Sequence, residues 1–302
     1  MDEPDAVPLD ARRAILDWYA TEARPLAFRR TSDPYAVLVS EAIAQQTQAA
    51  RAADRWERFM ARFPTVQSLA AATPADVLRE WQGLGYDRRG MNLWRAARII
   101  VRDHGGRVPS DVAALEALPG IGPYTARAVA AIAFGIPVGA VDTNVRRVLT
   151  RITAADGAAP TTRAVQALAD ASVPPDAPAA WTHALMDIGA TICRARRTDC
   201  GACPARPWCR SASAEPTTAR PRTAATRRAT ARAAAIPFPS TTRWLRGRVL
   251  DRLRAADGDA FVALEAPIGV HDRAAVDRAV DSLARDGLVE LRADRSARLR
   301  MG

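Results

Sequence analysis

The chain has 302 residues, 48% of them hydrophobic and 25% charged, enough for more than one domain and a sizeable core. Its formal net charge of +10 points to a polyanionic partner, nucleic acid before membrane, and every one of its 43 Lys/Arg positions is arginine. The acidic opening MDEPDAVPLD lacks the apolar core of a secretory signal, and the apolar stretch from Ala128 to Val141 is broken by Gly135, Pro137 and Gly139. A soluble cytoplasmic monomer is therefore the expectation.

Helical periodicity dominates to about residue 210. Asp10 is placed to cap a helix carrying Ile15, Leu16, Trp18 and Tyr19. Asp33 and Pro34 open a second helix, which is expected to break before Phe63-Pro64. Thr73-Pro74 starts a helix ending near Gly83. Asn92 to His104 forms another, closed by Gly105-Gly106, and Ser110 caps the stretch that follows. No strand-like alternation persists, so this part is all-α. Residues 213–240, rich in Ala, Thr, Pro and Arg without a hydrophobic period, read as a flexible basic linker. From Thr241 two amphipathic helices precede an alternating hairpin, LVELRADRSARLRMG, so 241–302 is predicted as a small winged-helix-like α+β domain.

Four cysteines, Cys193, Cys200, Cys203 and Cys209, follow a C-x6-C-x2-C-x5-C spacing that uses every cysteine in the chain. Such clustering favours a metal over disulfides, and four thiolates suit either zinc or an iron–sulfur cluster. In LPGIGPYTARAVA, glycines at a helix mouth allow positive φ and close approach of another backbone. Amides at such a turn can hold a phosphate without reading base sequence.

Glu41 lies in an apolar helical run on the face of Leu38 and Gln45, where burial would keep its carboxyl protonated near neutrality. Asp142 follows the apolar IPVGAV and precedes a helix, whose N-terminus suits an anionic carboxylate. One carboxylic acid and one carboxylate are what cleavage of a glycosidic bond needs.

LPGIGPYTA, VDTNVRRVLTR and the cysteine spacing together resemble the endonuclease III superfamily of base-excision DNA glycosylases over about residues 9–212. SEAIAQQTQA, GLGYDRRGMNL and ALMDIGATIC are similar to its adenine-excising branch. The resemblance implies a two-domain helix-hairpin-helix fold, with a 4Fe–4S cluster domain at 1–27 and 137–212 and a helix-hairpin-helix domain at 28–136. It implies excision of adenine mispaired with 8-oxoguanine or guanine in double-stranded DNA. Glu41 would be the acid and Asp142 the stabiliser of the sugar cation or the nucleophile, with Asn144 supporting and Tyr124 lining the site.

Cys193, Cys200, Cys203 and Cys209 would ligate the cluster. Gln45, Gln46, Tyr86, Leu118, Gly120, Ile121, Gly122, Thr125 and Arg146 would contact DNA. Strand-cutting relatives carry Lys where Tyr124 stands, so efficient lyase activity is not expected. The family's GLG-Tyr-Tyr pattern has Asp87 at its second tyrosine, and the reader domain that usually follows the cluster is replaced by the winged-helix-like segment. Excision of thymine or uracil from T:G or U:G is the alternative within the superfamily, and a non-catalytic DNA-binding protein is the alternative outside it.

Overall fold

A computed structural model describes residues 6–154, 160–212, 236–256 and 260–301. Most of the linker at 213–240 lies outside the described residues. The chain divides into two compact units, residues 1–41 with 108–223, and residues 42–107 with 224–302; the division falls within one helix, after Glu41.

The first unit holds α1 (Leu9–Glu22), a 3-10 turn (Ala27–Arg30) and most of α2 (Pro34–Ala44). It continues with α7 (Val112–Glu116), α8 (Pro123–Phe134), α9 (Thr143–Thr153), α10 (Thr162–Ser172) and α11 (Pro178–Asp187). A π-helical turn at Ile188–Ile192 leads from α11 into the cysteine loop. Ile15, Leu149, Ile152, Trp181, Leu185 and Ile188 form its core, with Cys193, Cys203 and Cys209 packed against the edge. The apolar faces of α1, α9 and α11 meet there, so the loop that carries the cysteines is seated on the same core as the helix that begins at Asp142.

The second unit holds α3 (Ala49–Arg62), α4 (Val66–Ala71), α5 (Pro74–Glu80) and α6 (Arg88–Asp103) around Phe59, Phe63 and Trp81. Its C-terminal part is α12 (Thr242–Ala255), α13 (Arg273–Arg285) and an antiparallel pair, β1 (Val289–Leu291) with β2 (Ala297–Leu299), in the register Val289 to Leu299. Two helices followed by a hairpin are the winged-helix-like arrangement expected from the sequence, and α12 packs on α5.

Several local expectations shift. Pro8, not Asp10, precedes α1, and Asp10 instead lies in the first turn, where its charge suits the positive end of the helix. Asp33 accepts the Ala36 amide at 2.8 Å as expected, and the break expected before Phe63-Pro64 falls between Ala44 and Ala49, where Gln46 turns to φ 55°. Asp111 rather than Ser110 caps α7, taking the Ala114 amide at 2.9 Å. α6 starts at Arg88, through Gly90, because a Cβ at residue 90 would lie 2.7 Å from the Trp81 ring. Glycine inside that helix is a packing requirement rather than a break.

Candidate active site

Glu41 sits in α2 with only 8% of its surface exposed. Burial pushes its carboxyl up to about 7, against the opposing pull of the Tyr124 hydroxyl, which hydrogen-bonds it, and of the Arg29 guanidinium. Asp142 adds a further upward push. Tyr124 reaches this position because Pro123 starts α8 directly after the Gly120–Gly122 hairpin, setting Tyr124 in the first turn. Its hydroxyl also reaches the Met186 sulfur at 3.7 Å, and burial beside two carboxylates holds its own pKa well above normal.

Asp142 is the N-cap of α9. Its Oδ1 accepts the amides of Asn144 at 2.8 Å and Val145 at 2.6 Å, and its Oδ2 accepts the Asn144 side-chain amide at 3.0 Å. Three N–H donors therefore aim the carboxylate in one orientation. Asn144 is held in turn by Arg147, whose guanidinium donates to Asn144 Oδ1 and to the Gly189 carbonyl, both at 2.8 Å, and to the Cys193 carbonyl at 2.7 Å. Gly189 has no room for a side chain: a Cβ there would stand 2.7 Å from that of Asn144.

Arg29, whose charge acts on Glu41, is itself anchored on a buried carboxylate. Asp187 is fully buried and takes Arg24 at 2.6 Å and Arg29 at 2.6 and 2.7 Å. These two arginines hold its carboxyl below its usual range despite burial. Sequence reasoning passed over Asp187, Arg24 and Arg29, although Asp187 stands inside the quoted ALMDIGATIC. An acidic residue in an otherwise apolar helical run is the signal that could have found it.

The four cysteines lie close enough together that each of the other three raises the pKa of Cys203, which burial and their proximity bring up to about 11. Arg151 donates to Cys193 Sγ at 3.2 Å, and the Cys209 thiol donates to the Arg151 carbonyl at 3.2 Å. Among the described residues no three His, Cys, Asp or Glu side chains converge tightly enough to hold one metal ion. As a donor set, four soft thiols on one short loop fit an iron–sulfur cluster.

The hairpin has a narrower design than the sequence suggests. Gly120 does adopt positive φ, at 79°, whereas Gly122 is extended and caps α8, with open space where a Cβ would be. The Ile121 amide closes the turn on the Leu118 carbonyl at 3.1 Å, and the side chains of Leu118, Ile121 and Thr125 are buried. Any contact these residues make with DNA must therefore run through backbone. Arg146 reaches the Pro160 carbonyl at 3.5 Å.

Glu41, Tyr124, Asp142 and Asn144 thus share the first unit. Gln45, Gln46 and Tyr86 belong to the second. There Arg89, unnoticed in the sequence, donates to the carbonyls of Ala42, Ile43 and Gln45 and to those of Leu84 and Gly85. One guanidinium thus ties the Gln45–Gln46 turn to the Gly83–Tyr86 loop. Gln46 and Tyr86 are two of the three non-glycine residues with positive φ among the described residues.

A glutamic acid kept protonated near neutrality, a fixed aspartate and a glycine-mouthed hairpin define a class. Residues 39–175 match the family model of the HhH-GPD superfamily base excision DNA repair proteins, and the chain belongs to that superfamily. It is 42% identical to the adenine DNA glycosylase of Mycolicibacterium smegmatis over 93% of this chain and 92% of the relative. It is equally identical to that of Mycobacterium tuberculosis over 91% and 88%. Within the superfamily the chain is therefore a member of the adenine DNA glycosylase family. Among solved structures, a thermostable thymine-DNA glycosylase superposes with a TM-score of 0.62 at 28% identity, over 66% of this chain and 94% of that one.

Proposed function

We propose that the protein excises adenine mispaired with 8-oxoguanine or guanine in duplex DNA by hydrolysing its N-glycosidic bond. The observation that carries this reading is the buried Glu41 carboxyl, raised to about 7 and hydrogen-bonded by Tyr124, in the same unit as an Asp142 carboxylate fixed by three donors. The base must leave the stack to reach such a buried acid. Glu41 donates a proton to a ring nitrogen of the extruded adenine, and the glycosidic electron pair departs with the base. Asp142 faces the developing oxocarbenium ion as its counter-charge, or closes on C1′ as a transient adduct. Water adds at C1′ and its proton passes to the emptied Glu41 carboxylate, leaving free adenine and an abasic site.

Cys193, Cys200, Cys203 and Cys209 would hold a 4Fe–4S cluster, supplying a rigid cross-link to the loop that Arg147 and Arg151 tie to α9. Strand cleavage by a Schiff base needs an amine nucleophile. The chain has no lysine and so no side-chain amine, and Tyr124 cannot serve, so the abasic strand is left without efficient lyase cleavage.

Excision of thymine from T:G is the weaker reading. The 42% identity to adenine DNA glycosylases over nearly the whole chain stands against 28% to the thymine enzyme. The deciding experiment is a single-turnover excision assay on A:8-oxoG, A:G, T:G and U:G duplexes. Release of adenine is expected from the first two. Preferential release of thymine or uracil, or of no base at all, would overturn the proposal.

A further inference from the structure

Tyr86 is one of the few large apolar side chains left exposed, at 45%, and its backbone is held at φ 49° directly after two positive-φ glycines, Gly83 and Gly85. An exposed aromatic kept in an unfavoured backbone region is held there by its surroundings, and such residues gather at sites that act on something outside the fold. Here part of the surroundings belongs to the C-terminal part of the chain. The Arg243 guanidinium lies over the Tyr86 ring, 4.0 Å from its centroid, and donates to the hydroxyl at 2.8 Å. The Arg89 guanidinium also lies 5.7 Å from the centroid of the same ring.

The next residue, Asp87, is taken by Arg254, which also donates to the Leu78 carbonyl at 2.9 Å. Arg243 and Arg254 stand about three turns apart on α12, so the helix presents both on one face. Neighbouring charges sharpen the contrast. Residues 241–302 carry twelve arginines against ten acidic residues, and Arg246, Arg254, Arg273, Arg295 and Arg298 are all ion-paired. Arg243 pairs with no carboxylate among the described residues, and Tyr86 is its partner.

We propose that Arg243 is a positioning residue for Tyr86, through which the C-terminal domain takes part in engaging the DNA duplex. This rests on the reading that the substrate is a mispaired duplex. An aromatic ring held by a stacked and hydrogen-bonded guanidinium loses less freedom when it meets stacked bases than a free side chain would, so the contact acts on binding rather than on the chemical step. The near-neutral charge of the domain fits this role better than that of an independent phosphate-binding module.

The test is a double-mutant cycle in the full chain with Arg243→Ala, Tyr86→Ala and the pair, supported by Tyr86→Phe, which removes only the hydroxyl acceptor. Binding is read with a duplex carrying a 2′-fluoro-adenine nucleotide, which resists cleavage, opposite 8-oxoguanine; the saturating single-turnover rate is read on the natural duplex. Arg243→Ala is expected to weaken binding about fivefold, to leave the saturating rate within about twofold, and to add nothing in the Tyr86→Ala background. Tyr86→Phe should shrink the effect of Arg243→Ala without abolishing it. Equal losses in both backgrounds would mean that Arg243 meets DNA by itself and would overturn the inference, as would unchanged binding in Arg243→Ala. Failure of the wild-type chain to release adenine would strike the proposed activity instead, and the binding cycle would still be readable.

Discussion

Tyr124 donates its hydroxyl to the buried carboxyl of Glu41, and that one hydrogen bond opposes the upward push that burial exerts on the acid. The two residues stand on different helices, α2 and α8, so burial raises the acid while a partner from a distant part of the chain holds part of that rise back.

Excision should follow the acid form of Glu41, so kcat/KM should fall as pH rises through about 7. Because the Tyr124 hydrogen bond favours the carboxylate, Tyr124→Phe should move this limb to higher pH. A limb that moves down, or stays in place, would show that the hydroxyl does not tune the acid.

The same shift has a stability consequence. A carboxyl whose folded pKa lies above its unfolded value contributes stability fully below the unfolded pKa of about 4.5 and loses it as pH rises through about 7. Glu41→Gln should therefore be inactive yet more stable than wild type at pH 8, by roughly 2–3 kcal/mol, with little gain at pH 4. Thermal melts of both proteins at the two pH values measure this.

Asp142 caps α9 and also faces the reacting sugar, and two substitutions separate these roles. An asparagine oxygen can still cap the helix amides but cannot also accept the Asn144 side chain, so Asp142→Asn should lose activity by about 10²–10⁴-fold with a smaller stability loss than Asp142→Ala. Asp142→Ala should lose the activity and also about 0.5–2 kcal/mol of stability. Near wild-type excision by Asp142→Asn would remove the carboxylate from the mechanism.

Asp187 is fully buried between Arg24 and Arg29, and Asp187→Asn would leave both guanidinium groups without their counter-charge. A loss of about 3–5 kcal/mol is expected, read by chemical denaturation.

Iron and acid-labile sulfide, with a brown chromophore, are expected in the purified protein. Cys203→Ser, at the thiol raised by all three of the others, should lower the iron content. Stoichiometric zinc without iron would replace the cluster assignment.

Much of this protein is legible along the chain. The Asp142 cap, the Asp33 and Thr73 helix starts, the hairpin glycine at 120 and the helix–helix–strand pair at the C-terminus all depend on neighbours within a few residues, where spacing and capping chemistry are decisive. Glu41 stands out as an acid in an apolar helix, and the family resemblance of the surrounding motif is what gives it the role of proton donor. Other features depend on residues far apart in sequence. Gly90 is glycine because Trp81 packs against it, and Gly189 because Asn144 does. Asp187 is an anion because Arg24 and Arg29, more than 150 positions away, reach it. Asp87 looks like a defect in a motif until Arg254 is seen to hold it. Local sequence therefore determined the helices and the identity of the chemical groups. Burial and long-range charge pairing, which exist only once the chain has packed, decided which carboxyl keeps its proton and what holds Tyr86.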